Sequence, residues 1–400
     1  MTERLYLVDS HLFENECTVL SCAPAEGGFD VTVDRTVFFP NKGGQPCDTG
    51  TLGGARVTDV REAGDELILR TDSPLPVGER VTGQVDEGRR LDIMAQHTGE
   101  HLLSWCAYTL FGGVNVGFHC ALTYATLDLD TPLTPEQVKQ LEDMANDYAR
   151  RDLPVTAVIY DSEAALEGVP LRKHTEGLTA PIRVVTIQDA DSCTCCAPHV
   201  HRTGEIGALK ITAAAAYKGG MRLTFLCGGR ALAYFQALQT TVDAIARRFS
   251  TAGEEVLSAV EKQESELKEV KKEKAALTAR LEEYLTAELQ AQAEDVKGKK
   301  LLVKLVDADP KRLRPLALAT LPDKGLTLLL TERNGQLTYV LCANGLKLDM
   351  GELIPAVNLA LGGKGGGRGT LAQGSAPTPA GLGETVAQLK AYLTQRVRND

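Results

Sequence analysis

His97 and His101 stand four apart in the run Gln-His-Thr-Gly-Glu-His-Leu-Leu, and Cys195 and His199 stand four apart in Cys-Cys-Ala-Pro-His far downstream. Two imidazoles at that spacing project from one face of a helix, and a thiolate with a third imidazole can close the remaining corners of a tetrahedron. The chemistry is that of a Zn2+ site, which needs neutral imidazoles and an ionised thiol. His-x-x-x-His alone is a weak signal, because helix-face histidines are often merely solvated; the second pair is what gives it weight. Cys193, Cys196 and His201 lie close enough in sequence to compete for the ligand role. A metalloprotease reading fails on register: in His-Glu-x-x-His the glutamate adjoins the first histidine, whereas here Thr98 holds that place and Glu100 precedes the second. Glu100 therefore reads as a solvated residue or one standing behind the ligands.

The elements that must carry these residues suggest four segments. Residues 1–90 alternate short β-rich runs with Gly, Pro and Asp turns, the pattern of a small β-barrel. Residues 91–229 mix a helix bearing His97 and His101, a second helix near Pro135 to Arg151 and several strands, which implies an α+β core holding the zinc. Residues 230–295 turn charged and glycine-poor, with Val256, Val260, Leu267, Val270, Leu277, Leu281 and Leu285 at alternating threes and fours, the mark of a long coiled-coil-like helical arm. A shorter stripe of Leu238, Val242, Ile245 and Phe249 precedes it, so the two either fold back as a hairpin or run on as one arm. That apolar stripe rests within the chain or against a second copy. Residues 296–400 return to α/β character and include Gly362-Gly363-Lys364-Gly365-Gly366-Gly367-Arg368-Gly369.

Composition narrows the function classes. With 43% apolar and 5% aromatic residues, the chain has an ordinary globular make-up. No stretch approaches the roughly 18 uninterrupted apolar residues of a spanning helix, and the first residues lack a signal-type apolar core, so a cytoplasmic location without membrane contact is expected. The ten cysteines lack pairing spacings, and Cys193, Cys195 and Cys196 crowd together, which suits metal ligation in a reducing compartment. A net charge of −10 argues against a global nucleic-acid footprint and directs attention to local cations, such as those from Lys297 to Arg314. The glycine run with Lys364 and Arg368 suits backbone phosphate contact. It is no Walker loop, lacking Gly-Lys-Ser/Thr before a helix, so nucleotide hydrolysis has little support.

Several motifs together carry a family resemblance. They are Phe38-Phe39-Pro40-Asn41-Lys42-Gly43-Gly44-Gln45-Pro46, Asp48-Thr49-Gly50, His97-Thr-Gly-Glu-His101, Gly117-Phe118-His119, and Cys195-x-x-x-His199-Val200 followed by Thr203-Gly204-Glu205-Ile206-Gly207. In order and spacing the chain resembles the editing half of alanyl-tRNA synthetase and the free-standing alanyl-tRNA editing proteins of the long AlaX type. Its glycine-rich end resembles their DHH-associated C-terminal domain, which implies tRNA contact through Lys364, Gly365, Gly366 and Arg368. Departures include Lys42 in place of a usual glycine and Cys196-Ala197-Pro198 in place of the commoner Gly-Gly-Thr.

What the resemblance implies is a zinc-dependent, ATP-independent hydrolase that deacylates Ser-tRNA(Ala) and Gly-tRNA(Ala) in trans. The chain begins at the barrel, with no aminoacylation domain ahead of it, so hydrolysis rather than charging is expected. Such a step answers a limit of selectivity: a pocket built for a methyl excludes glycine by only about 1–3 kcal/mol and cannot strongly reject an added hydroxyl. Gln45, then Thr98, are the candidates to bond the serine hydroxyl, and His119 is a candidate for proton transfer or positioning, with a structural role the alternative. The partner is mischarged tRNA(Ala), with a homodimer through the arm or the C-terminal domain a further expectation. The rival readings are a non-catalytic, zinc-stabilised tRNA-binding protein and a metallohydrolase acting on another small ester or peptide.

Overall fold

A computed structural model describes residues 2–172 and 180–400. The fold is mixed α+β and divides into two compact units, Met1–Gly253 and Glu254–Asp400. The barrel-forming and histidine-bearing segments thus share one unit. The helical stretch contributes to both, because its two helices are separated by a break and each belongs with the sheet beside it in sequence.

In the first unit, β1 (Glu3–Arg4) pairs in parallel with β4 (Arg35–Thr36). A closed barrel is formed by β2 (Glu14–Ala25), β3 (Gly28–Val33), β5 (Gly50–Leu52), β6 (Ala55–Ala63), β7 (Glu66–Thr71) and β8 (Arg80–Val85), in the order β2-β3-β7-β6-β5-β8. Alternation sets its inside: Val31 and Val33, Val57, and Leu67 and Leu69 are fully buried while their neighbours along the strand face outward. Closure leaves no unpaired edge.

The barrel hands over to α1 (Glu87–Phe111), capped by Asp86, whose side chain accepts from the Arg89 amide, and ended by Gly112 at φ 68°. Much of α1 is buried, because α2 (Pro135–Arg150) and a four-stranded antiparallel sheet pack against it. That sheet is built from β9 (Asn115–Cys120), β10 (Ala125–Leu129), β14 (Leu209–Tyr217) and β15 (Gly220–Cys227), ordered β14-β15-β10-β9. Gly99, between the two helix histidines, makes the close approach possible: a Cβ there would stand 2.4 Å from Cys227 Sγ. A second antiparallel sheet, of β11 (Val155–Tyr160), β12 (Ile182–Ile187) and β13 (Ser192–Thr194), delivers the chain to Cys195. The α3 helix (Gly228–Phe249) ends at Ser250, in the left-handed region at φ 53°.

The second unit opens with α4 (Val256–Ala291), so α3 and α4 are not one unbroken helix. Leu289 is the buried residue of α4; Leu267, Val270, Leu277 and Leu281 are all more than half exposed and find no cover among the described residues. A six-stranded sheet follows, ordered β16-β17-β18-β19-β21-β20. Its strands are β16 (Glu294–Val296), β17 (Lys299–Leu305), β18 (Gly325–Arg333), β19 (Gln336–Asn344), β20 (Lys364–Arg368) and β21 (Leu371–Pro377). Leu326, Leu328 and Leu330 of β18 pack on α6 (Met350–Leu361) and α7 (Leu382–Asn399), while Leu329 faces α5 (Pro310–Ala319). Burial on both faces explains the near-continuous apolar run of this strand from Leu326 to Leu330, broken only by the buried Thr327.

One buried ion pair ties the first unit together. Arg90, 1% exposed, donates to Asp48 at 3.0 Å, to the Ser10 carbonyl at 2.9 Å and to the Val37 carbonyl at 2.6 Å. Asp48 in turn accepts from the Phe39 amide at 2.7 Å. The first turn of α1, the loop before the barrel and the Phe38–Asp48 segment are therefore held by one guanidinium. Removing it strands a buried carboxylate, so Arg90→Ala should cost about 3–5 kcal/mol in urea unfolding; a loss below about 1 kcal/mol would show that the pair is not structural.

Candidate metal centre

The side chains of His97, His101 and His199 are each about 3% exposed, and their ring centroids lie 4.5 to 5.5 Å apart. With Cys195 they offer ligand atoms all within 4.8 Å of one another. His97 Nε2 stands 3.6 Å and His199 Nε2 3.3 Å from Cys195 Sγ. Ligand bonds of about 2.0–2.1 Å for nitrogen and 2.3 Å for sulfur in a tetrahedron put N and S roughly 3.6 Å apart, so the spacing fits one zinc-class ion.

Each imidazole is held from behind through Nδ1. Gln45 Oε1 lies 2.5 Å from His97 Nδ1, Thr98 Oγ1 3.0 Å from His199 Nδ1, and Asp191 Oδ2 3.1 Å from His101 Nδ1. An amide oxygen and a carboxylate only accept, so the proton on His97 and His101 sits on Nδ1 and the Nε2 lone pair is left for a cation. Thr98 Oγ1 also accepts from the Val200 amide at 3.3 Å, tying the helix to the Cys195–His199 loop. That loop is pinned further by the His199 amide on Ser10 Oγ at 3.1 Å and by Arg183, which donates to the carbonyls of Cys195 (3.0 Å), Ala197 (2.7 Å) and Leu7 (3.1 Å). Ala197 is buried among the barrel's core residues, so the barrel wall seats the loop.

The charges separate the competing sulfurs. Burial opposes ionisation of Cys195, but the His97 and His199 imidazoles outweigh it and hold the thiol well below its ordinary value. Burial pushes the thiols of Cys193 and Cys196 up. Burial likewise drives His199 down to about 3, keeping it neutral as a ligand must be. For His101, burial lowers the pKa, yet the Cys193 sulfur and the Asp191 carboxylate raise it well above the usual value. The group set thus demands positive charge at its centre, which a proton on His101 or a metal cation can meet. Asp191 is itself kept ionised: burial raises its pKa, but His101 and Arg172 prevail and lower it.

Beside these ligands opens a cleft of about 410 Å³, lined by His97, His101, Glu100, Asn115, Phe118 and Arg172 among others. Phe118 packs on His97 with centroids 4.7 Å apart. Glu100 is not solvated: it is 3% exposed and accepts from Asn115 Nδ2 at 2.6 Å and from Ser104. A larger cavity of about 720 Å³ lies on the other side of the Cys195–Cys196 backbone, against Tyr6, Phe39 and Lys42, but the imidazoles do not line it.

The structure brings together His97, His101, Cys195 and His199, and puts Gln45 and Thr98 behind them. Thr98 is fully buried with its hydroxyl spent on His199, and the Gln45 carbonyl is spent on His97, so each orients one imidazole of the candidate centre. His119 is not brought in: strand alternation turns it away from Phe118, and it lines a separate cleft with Gln45, Asn41 and Lys42. Sequence reasoning missed Asp191, Arg172, Arg183 and Ser10. Only Asp191 had a signal, a carboxylate four residues before Cys195, and single aspartates in loops are too common to read. Of the glycine-run residues, Lys364 to Arg368 form the exposed edge strand β20 rather than a loop. Glycine is required there by proximity: a Cβ at Gly367 would meet the Leu371 carbonyl at 2.2 Å. Three of the cations between Lys297 and Arg314 have acidic partners, Lys299 with Asp400, Lys300 with Asp295 and Arg312 with Glu282.

Residues 182–223 match the threonyl and alanyl tRNA synthetase second additional domain, and residues 298–395 match the DHHA1 domain. An alanine–tRNA ligase of Halorubrum lacusprofundi is 32% identical over 96% of this chain, which spans 43% of that relative. The alanyl-tRNA editing protein Aarsd1 of Mus musculus is 33% identical over 66% of this chain and 68% of its own length. The C-Ala domain of Aquifex aeolicus alanyl-tRNA synthetase matches 26% of this chain and 98% of its own at 28% identity, with a TM-score of 0.24. The family match over residues 182–223 places the chain in the class that carries the synthetase second additional domain. Within that class, the chain belongs to the alanyl-tRNA editing protein family. It spans about two fifths of the length of the matching ligases. Among the described residues no helix is long and apolar enough to cross a membrane.

If the four side chains hold an ion as their geometry suits, Cys195→Ser should abolish tight zinc binding. Gln45→Ala and Asp191→Asn should weaken it about 10–100-fold by chelator competition, since each frees a ligand ring. Wild-type affinity in either variant would remove these two from the supporting set. Protons compete for every ligand, so metal should be lost as pH falls, and the raised pKa of His101 places that loss higher than for an ordinary histidine; a flat metal content from pH 8 to about 5 would contradict the assignment.

Proposed function

We propose that this protein is a zinc-dependent aminoacyl-tRNA deacylase, acting in trans on mischarged Ser-tRNA(Ala) and Gly-tRNA(Ala) in the cytoplasm. The observation that carries the reading is the convergence of three pre-oriented imidazoles and an ionised thiol beside a cleft lined by Glu100, Asn115 and Arg172. Editing proteins among its relatives support the substrate class.

His97, His101, Cys195 and His199 are the residues that would hold Zn2+, which when bound supplies positive charge to polarise the ester or anchor the substrate. The reaction adds water across the ester joining the amino acid to the terminal adenosine: the acyl carbon–oxygen bond breaks, the ribose oxygen takes a proton, and the amino acid leaves as its carboxylate. Gln45, Thr98 and Asp191 act through the rings they hold. Glu100, fixed by Asn115, is suited to bind the substrate's ammonium group, and Arg172 to meet a phosphate or ester oxygen. Discrimination of serine from alanine would rest on a site group that pairs with the serine hydroxyl and that alanine leaves unpaired; it does not separate glycine from alanine, since neither carries a hydroxyl.

For the tRNA body, Lys364 and Arg368 on the exposed edge strand, with Gly365 and Gly366 beside them, form the assigned contact. The uncovered stripe on α4 keeps a homodimer through the arm as the proposed assembly. A second reading, a zinc-stabilised tRNA-binding protein without catalysis, is favoured by one observation: four protein ligands close a tetrahedron, the usual form of a structural site.

Incubation with Ser-, Gly- and Ala-tRNA(Ala) separates the two. The proposal expects loss of the first two and sparing of the third; binding without any loss would establish the second reading. Lys364→Ala with Arg368→Ala should weaken tRNA binding and flatten its logarithmic salt dependence by about 1.4–1.8. An unchanged slope would detach this strand from the nucleic acid.

A further inference from the structure

Outside the centre described above, a second set of ligand-type side chains, Asp9, His11 and His201, gathers on the first unit, and the catalytic reading does not use it. Asp9, His11 and His201 offer ligand atoms within 4.8 Å of one another. The two rings lie against each other with centroids 3.8 Å apart. His201 Nε2 stands 3.2 Å from Asp9 Oδ1, and His11 Nε2 stands 2.7 Å from Glu205 Oε2.

Two features separate this cluster from a casual surface group. Glu205 is fixed before it reaches His11, because its other oxygen accepts from the His201 amide at 3.0 Å and the Arg202 amide at 2.9 Å. Held in this way on its Nε2 side, His11 is left with a Nδ1 that is buried and lacks any hydrogen-bond partner among the described residues. An orphaned ring nitrogen beside a carboxylate and a second imidazole is the arrangement in which a cation satisfies what the protein does not. Arg202, whose amide Glu205 accepts, turns its guanidinium to Asp152 at 2.7 Å and does not pair with Glu205 through its side chain.

We propose that Asp9, His11 and His201, with Glu205 orienting His11, form a second metal site for a zinc-class divalent cation. Its donors are nitrogen and oxygen, with no sulfur, which suits Zn2+, Ni2+ or Cu2+ over softer ions. Because its side chains are partly exposed, it exchanges more readily than the Cys195 centre. The site joins the segment before the barrel to the residues just after His199, whose own amide already rests on Ser10 Oγ. A cation here therefore clips the loop that carries Cys195 and His199 to the start of the chain.

The test is a zinc titration of the full chain, stripped by chelator, followed by calorimetry and repeated with Co2+ to read the thiolate charge-transfer band. Wild type should bind two equivalents, the tighter one bringing the thiolate band. His11→Ala with His201→Ala, and separately the milder His201→Gln, should weaken the second equivalent by about 100-fold while leaving the band intact. Cys195→Ser should abolish the band and keep the second equivalent, so failure of either site is seen independently of the other. A single equivalent in wild type, a second one that appears only at millimolar zinc, or a second one unchanged in both histidine variants would overturn the proposal.

Discussion

A half-buried thiolate set among three buried imidazoles organises much of the first unit around it. Against the cost of burial, those imidazoles hold the Cys195 thiol well below its ordinary value, and a thiolate packed among them calls for positive charge at the same point. Three imidazoles supply the surroundings, and Gln45, Thr98 and Asp191 decide which way each presents its lone pair. Those three partners come from the Phe38–Pro46 loop, the helix itself and the turn before Cys195, so the centre is assembled only when three separated stretches are in place.

What holds those stretches is largely polar. Arg90 clasps Asp48, Ser10 and Val37, while Arg183 clasps the Cys195–Ala197 backbone and Leu7. Both guanidiniums satisfy main-chain carbonyls that would otherwise be buried without partners, and both reach the residues preceding the barrel. Ser10 is a shared anchor: its carbonyl takes Arg90 and its hydroxyl takes the His199 amide. The barrel thus positions the chemistry without contributing a ligand.

The second unit works on a different principle. Its sheet is buried on both faces by helices, and its glycine-rich edge strand lies too close to β21 for side chains at Gly365 and Gly367. Lys364 and Arg368 mark the ends of that edge and are exposed. An edge strand presents backbone groups in a row, which gives the glycine run a defined shape for a polar partner where a loop would have none.

The four candidate ligand residues were legible because each pair is local: a spacing of four is a statement about one helical face or one short turn, and no tertiary knowledge is needed to read it. The alternation of the strands near residues 29–33, 55–60, 66–70 and 80–85 was legible for the same reason, as was the stripe on α4; the strand Glu14–Ala25 carried no such clean pattern. Their partners were not. Asp191, Arg172 and Arg183 carry no periodicity, and Thr98 and Gln45 read equally well as substrate contacts until the fold turned their side chains onto His199 and His97. Strand alternation sent His119 away from the cleft that its neighbour Phe118 lines, and ladder pairing made a strand of what composition presented as a loop. Residue type and short-range spacing thus determined which atoms could bind a metal. Only long-range packing decided which of three sulfurs is ionised, which nitrogen of each ring is free and which polar side chains reach the cleft, because burial and charge at a point depend on everything folded around it.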